Sequence, residues 1–184
     1  MTYLSFAKDF QGVADAFLRD PDRYLPIVAF LETVLRKDSQ FSPAERELMA
    51  AYVSSLNGCQ FCYGTHEAVA KAFNVDAAML GALQTDPTRA PVGERMRPVF
   101  ALTRKLTETP SLVSADDVRA VLDAGWSEQA VEDIIGIAAI FAFLNRLTDG
   151  LGITGTADYF TQVGAGLSQY GYEPFIRSAL EQRA

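Results

Sequence analysis

The chain has 184 residues, 49% of them hydrophobic and 21% charged, with a formal net charge of -7. Its length and apolar content fit one buried core in a single domain over 1–184 and exclude a disordered chain, which combines low hydrophobicity with high charge. The negative balance, with no run of Lys and Arg, excludes the footprint of a nucleic-acid binder.

The first residues, MTYLSFAKDFQGVAD, lack the basic start and continuous apolar stretch of a signal peptide, so the cytoplasm is the expected location. Apolar residues then recur at spacings of three and four almost throughout, without sustained alternation, and the predicted class is all-α. Helices are expected near 8–18 and 22–36, the second opened by Asp20-Pro21. Ser42-Pro43-Ala44-Glu45 combines an N-cap serine, a first-turn proline and a capping-box glutamate, and starts a helix over 43–56. Large residues (Leu48, Met49, Tyr52, Val53, Leu56) fall on one side of that helix. Glu47, Ala51, Ser54 and Gly58 make a small-residue stripe on another, which would leave the Glu47 carboxylate partly enclosed.

Helices over 60–73 and 76–84 follow. The Thr85–Gly93 segment, TDPTRAPVG, is the expected hinge between an N-terminal half (about 1–85) and a C-terminal half (about 92–184). Further helices are expected at 92–107, 115–123 (Ser114 with Asp117), 127–148 (Ser127 before Glu128), 156–163 and 172–182. The longest apolar run, Ile134–Leu144, is shorter than the roughly 20 residues of a bilayer span. It reads as a buried helix, and no membrane is expected as a partner. Asn145, which interrupts that helix, and Asp149 one turn on read as groups that satisfy neighbouring helices. Phe141, Phe143, Tyr159 and Phe160 read as core or subunit interface.

Both cysteines sit in one motif, Cys59-Gln60-Phe61-Cys62-Tyr63-Gly64-Thr65-His66, directly after the helix-breaking Asn57-Gly58. The motif therefore begins a new helix, on which positions i, i+3 and i+7 bring both sulfurs and the imidazole to one face. A helix start favours thiolate over thiol, and a CxxC pair can close a disulfide with little backbone movement. His66, the chain's single histidine, stands where it can exchange a proton with Cys62. Glu47, on the preceding helix, is the candidate to orient its ring.

This spacing, Glu47 then eleven residues then Cys59-x-x-Cys62-x-x-x-His66, resembles the signature of the AhpD-like (alkylhydroperoxidase D) branch of the carboxymuconolactone decarboxylase superfamily. With the Ser42-Pro43 start and the segment from Val113 to Ile153, the similarity to its peroxidase-related subgroup covers roughly residues 40 to 155. The resemblance implies an AhpD-like multi-helical fold with the CxxC at the N-terminus of a central helix, assembled as a homo-oligomer, trimer or hexamer. It implies reduction of hydroperoxides through a Cys59/Cys62 dithiol–disulfide cycle, with His66 and Glu47 as proton relay and a dithiol or lipoyl-type protein as reductant. No cofactor or metal is expected to take part. Phe61 stands where the founding member of the family has a second histidine.

Other readings stay open. Carboxymuconolactone decarboxylase chemistry on the same fold would have no use for the dithiol. A non-enzymatic protein that senses oxidants, or holds zinc on Cys59, Cys62, His66 and Glu47, would use the same residues differently.

Overall fold

A computed structural model describes residues 2–85 and 89–183. Ten α-helices are formed: α1 Val13–Arg19, α2 Pro21–Arg36, α3 Pro43–Leu56, α4 Gln60–Ala72, α5 Ala77–Thr85, α6 Met96–Glu108, α7 Ala115–Asp123, α8 Glu128–Leu151, α9 Ala157–Tyr170 and α10 Glu173–Glu181. No strand occurs among the described residues, as an all-α chain requires.

The bundle is organised around α3. Its start is fixed reciprocally: Glu45 N–H donates to Ser42 Oγ at 3.2 Å, and Ser42 N–H to Glu45 Oε2 at 2.8 Å. A capping arrangement of this kind is worth about 1 kcal/mol. From Arg46 to Ser54 every residue is buried, because α4, α6 and α8 cover the helix on different sides. The two stripes predicted for α3 are therefore both internal, and the small one is where α4 lies.

The Asn57-Gly58 turn reverses the chain between α3 and α4. Gly58 sits at φ 74°, a left-handed conformation that costs a side chain about 1 kcal/mol or more. Cys59 N–H then donates to Ser54 O at 3.0 Å, which ties the new helix start to the last turn of the old.

Three boundaries differ from the sequence expectation. The first helix does not run over 8–18: a 3-10 turn at Ser5–Ala7 precedes a break, and α1 starts only at Val13. Asp15 accounts for this start, accepting from the N–H groups of Gln11 at 2.8 Å and Gly12 at 3.3 Å. α6 begins at Met96, not 92, and α9 continues past 163 to Tyr170. Gly164 and Gly166 read as helix breakers, but Gly164 faces α4. A Cβ there would lie 2.8 Å from Ala68 Cβ, so the missing side chain is what lets the helices touch.

Within the predicted hinge Thr85–Gly93, residues 86–88 lie outside the described residues, whereas Ala90 and Val92 are buried in the main core. α8 is longer than the apolar run that announced it. By length and composition alone its 24 residues could cross a membrane, yet half of its most apolar stretch is buried in the bundle.

Candidate active site

Three residues, from α2, α4 and the start of α10, meet around one carboxylate on α3. Glu47, in the second turn of α3, is fully buried, and its Oε2 lies 2.7 Å from His66 Nδ1 on α4. Its Oε1 accepts from Arg36 Nη2 at 2.6 Å, at the end of α2, and from the Tyr172 hydroxyl at 2.7 Å, at the start of α10. The sequence placed Glu47 and His66 together correctly in space, and the Glu47 enclosure is complete where a partial one was expected.

Counting hydrogens settles the protons. Burial alone would push the Glu47 carboxyl up, but the hydrogen bond and charge of His66, the Arg36 guanidinium and the Tyr172 hydroxyl together hold it below the usual carboxylate range. An ionised carboxylate only accepts, so His66 Nδ1 must be the donor. The Tyr172 proton is already given to Oε1, so its oxygen, 3.2 Å from His66 Nδ1, is a second acceptor for that same N–H. His66 is thus held as the Nδ1–H tautomer, which leaves Nε2 with the lone pair. Phe141 fixes the ring further, meeting it edge-on at 4.5 Å, and Tyr172 is stacked at 6.0 Å.

The cysteines are unpaired, buried and 3.3 Å apart. A disulfide bond is about 2.05 Å long, so a small side-chain rotation would close it. Their environments differ. Cys62 is drawn down to about 7, first by the hydrogen bond from Cys59, against the opposing effect of burial, and further by Thr148, the charge of His66 and Asn145. Its Sγ is 3.5 Å from Thr148 Oγ1, to which the thiol donates and from which the thiolate accepts. Cys59 is pushed up instead, because it is the donor to Cys62 and because burial, the Cys62 charge and Asp149 all oppose its ionisation. The thiolate expected at the helix start is thus the second cysteine of the motif, favoured by its side-chain donors, while the first, at the N-cap, keeps its proton.

Cys62, Thr65 and His66 form one wall of a cavity of about 60 Å³. Phe17, Leu31, Leu144, Val163 and Ile176, from α1, α2, α8, α9 and α10, supply its apolar sides. No Asp, Glu, Lys or Arg lines it among the described residues. Phe61, in the position of the family's second histidine, also faces this space and packs on Tyr159 and Phe160 at 5.5 and 5.7 Å.

Asn145 and Asp149 come closer to the chemistry than the sequence indicated. Asn145 accepts from Asn57 Nδ2 at 2.8 Å and donates to Ser54 Oγ at 3.1 Å, locking α8 onto the α3–α4 turn beside Cys62. Of the predicted aromatic cluster, Phe141 contacts His66 whereas Phe143 is exposed. Sequence reasoning missed Arg36, Thr148 and Tyr172. Arg36 in the last turn of a helix reads as a dipole-favouring surface cation. No group of three or more His, Cys, Asp or Glu is arranged to hold a metal ion among the described residues.

A buried dithiol beside a hydrogen-bonded His–Glu pair on an all-helical scaffold is the class of site defined here. Residues 21–104 match the family model described as the carboxymuconolactone decarboxylase family. The crystal structure of the alkylhydroperoxidase AhpD core of an uncharacterized peroxidase-related protein from Ralstonia eutropha JMP134 is similar, with TM-score 0.74 and 21% identity over 82% of this chain and 78% of that one. An uncharacterized peroxidase-related protein from Silicibacter sp. TM1040 gives TM-score 0.75 and 24% identity over 82% and 79%. The debrominase Bmp8 gives TM-score 0.67 and 19% identity over 80% and 77%. At these identities the likeness is one of fold. No functionally curated sequence matches the chain. The chain thus shares its fold with these AhpD-like structures, and its first half carries a segment similar to the carboxymuconolactone decarboxylase family.

Proposed function

We propose that the protein is a thiol-dependent peroxidase that reduces organic hydroperoxides through Cys59 and Cys62. The observation that carries this reading is Cys62: a buried thiol, drawn down to about 7, set in the wall of an apolar cavity with a second thiol 3.3 Å behind it. A cysteine of this kind is substantially thiolate at neutral pH and still nucleophilic.

In the first step the Cys62 thiolate attacks the outer peroxide oxygen. The S–O bond forms, the O–O bond breaks, sulfur is oxidised to sulfenic acid, and the alkoxide leaves as the alcohol, taking from His66 Nε2 the proton that this nitrogen received when the Cys62 thiol ionised. Glu47 stays ionised and holds the ring through Nδ1. In the second step Cys59 attacks the sulfenic sulfur, a disulfide forms and water departs, the Cys59 proton passing to the leaving hydroxyl. A dithiol, of which a lipoyl-type protein is the class the family implies, returns both cysteines to thiols and is itself oxidised to its disulfide. The cavity's apolar sides favour a compact uncharged organic group on the peroxide over hydrogen peroxide.

This chemistry needs a reducing compartment, and the cytoplasm fits it. The homo-oligomer belongs to the same reading: Phe30, Ile135 and Phe143 on α2 and α8 leave apolar surface exposed for subunit contact.

The test is consumption of tert-butyl hydroperoxide by the dithiol-reduced protein, with mass spectrometry of wild type, Cys59→Ser and Cys62→Ser. Wild type is expected to turn over and to gain an internal disulfide. Cys59→Ser should stall as a sulfenic acid on Cys62, and Cys62→Ser should lose activity by at least about a hundredfold, as expected when the nucleophile is removed. Full turnover by Cys62→Ser would end the proposal. 2,3,4-Tribromopyrrole, held in a crystal structure of debrominase Bmp8 C82A, is the comparison substrate. Bromide release without peroxide consumption would reassign the same dithiol to reductive dehalogenation.

A further inference from the structure

Tyr172 lies outside the segment that matches the family model, 68 residues beyond its end at 104. Nevertheless its hydroxyl reaches the centre of the site, 2.7 Å from Glu47 Oε1 and 3.2 Å from His66 Nδ1, and its side chain is one of the cavity walls. We infer that Tyr172 is a positioning residue of the relay: its phenol oxygen shares the His66 Nδ1 proton with Glu47 and so sets how readily Cys62 becomes a thiolate. This inference rests on the relay assigned above, and it names a member of that relay that neither the motif nor the family segment contains.

Three independent features make the placement a built one. The backbone is pinned from α2, where Glu32 Oε2 accepts from the N–H groups of Tyr172 at 2.6 Å and Glu173 at 3.2 Å. Gly171 at φ 81° supplies the turn that brings the ring inward, and a Cβ on it would lie 2.7 Å from the same Glu32 carboxylate. Arg36 then stands 4.8 Å over the Tyr172 ring while its Nη2 donates to Glu47, so the phenol, guanidinium and carboxylate hold one another. Burial and the adjacent Glu47 charge keep the phenol protonated, so it remains a donor to Oε1 throughout the cycle.

The direction of its effect follows from which end of the hydroxyl faces which partner. Arg36 keeps Glu47 ionised with or without Tyr172, so the carboxylate's attraction for His66 is unchanged by removing the phenol. What is lost is the phenol oxygen as the second acceptor of the Nδ1 proton, 3.2 Å away. The His66 ring is then held less firmly beside the Cys62 sulfur and supports the thiolate less well, so thiolate formation requires a higher pH. The other charged or titratable groups around Cys62 and His66 are untouched by that change: Cys59 at the N-cap of α4, Asp149 on α8, Tyr159 on α9, Asp15 on α1, and Glu32 and Arg36 on α2.

The experiment is Tyr172→Phe, read by iodoacetamide alkylation of Cys62 against pH with mass-spectrometric site assignment. This readout needs no peroxide turnover, so it can fail while the peroxidase reading stands, and the reverse. The wild-type midpoint is expected near 7. The variant's should rise by about half a unit, with turnover near neutral pH falling by about twofold as the thiolate fraction falls. KM for tert-butyl hydroperoxide and the melting temperature should change little, because the ring and its packing remain. A folded variant with the wild-type midpoint overturns the inference, as does one that alters only KM or stability. Should the variant not fold, the wild type decides alone. With one histidine in the chain, selective 15N labelling gives one ring spin system. Protonation at Nδ1 is expected at neutral pH, and a ring protonated at Nε2 alone would give the Tyr172 proton two competing acceptors and sink the assignment.

Discussion

Cys59 and Cys62 lie one helical turn apart, equally hidden from solvent, and the surrounding protein treats them in opposite ways. Around Cys62 everything donates: Cys59, the Thr148 hydroxyl, Asn145 and the cationic form of His66. Around Cys59 most influences repel or withhold: its own hydrogen bond to Cys62, burial, the Cys62 charge and the Asp149 carboxylate at the end of α8 outweigh the one donor it has, the Cys62 backbone N–H. The shared helix N-terminus therefore does not select the nucleophile, since it acts on both sulfurs. Selection comes chiefly from α8, which brings Thr148 and Asn145 to Cys62 and the Asp149 carboxylate to Cys59. One thiol is kept ready to ionise and the other is kept protonated until the first has been oxidised.

The contrast is broken most severely at Glu47. Glu47→Gln leaves Arg36, whose side chain is only 11% exposed, without its counter-charge. Breaking a buried pair in this way costs about 3–5 kcal/mol, measurable as a fall in the urea midpoint. The pH dependence provides a second check. The Glu47 carboxyl is held below its ordinary value in the folded state, so its contribution is complete above the unfolded carboxyl value of about 4.3 and is lost as pH falls through the lower folded value. The wild type should thus lose its advantage over Glu47→Gln only in that acidic window, and a gap already closing near neutrality would contradict the ionised, paired carboxylate described here.

How much of this was legible beforehand follows from sequence separation. Cys59, Cys62 and His66 are fixed by helical periodicity within eight residues, and Glu47 is one helix and one turn away, with Asn57-Gly58 marking the reversal. The capped start at Ser42 and the long apolar α8 were equally plain, because caps and periodicity are local properties of the chain. Arg36, Thr148 and Tyr172 carry no such signal. Thr148 meets Cys62 across 86 positions and Tyr172 meets Glu47 across 125, contacts that exist only once α8 and α10 have packed. The same limit explains α9: Gly164 looks like a break in a sequence and works as a contact point when Ala68 of α4 lies against it.

A milder test keeps the charges and removes one donor. Thr148→Val is nearly isosteric at a fully buried position and deletes the hydroxyl that stabilises the Cys62 thiolate. Its alkylation midpoint should climb from about 7 toward the ordinary thiol value of about 8.5, by part of that interval, because the Cys59 donor remains and is the larger influence. Peroxide reduction at neutral pH should slow by the same factor as the thiolate fraction falls, and should recover in alkaline buffer. If the rate fails to recover there, Thr148 has been positioning the peroxide instead of the sulfur.

The smallest change is expected on the other side of the pair, at Asp149. This carboxylate is exposed at the end of α8, so water and salt screen what it does to Cys59. Asp149→Asn should allow Cys59 to ionise somewhat more easily and so speed its attack on the Cys62 sulfenic acid, by no more than about threefold, in keeping with the modest energies of exposed charges. Stopped-flow fluorescence or quenched mass spectrometry of disulfide closure would read the change, and raising the ionic strength should shrink it. The sign of the result separates two roles that the geometry alone leaves adjacent. Faster closure means that Asp149 opposes Cys59 ionisation, and the asymmetry between the sulfurs is an electrostatic one maintained from α8. Slower closure means that the carboxylate takes the Cys59 proton as the disulfide forms, in which case the two cysteines would be served by separate bases, His66 for the first and Asp149 for the second.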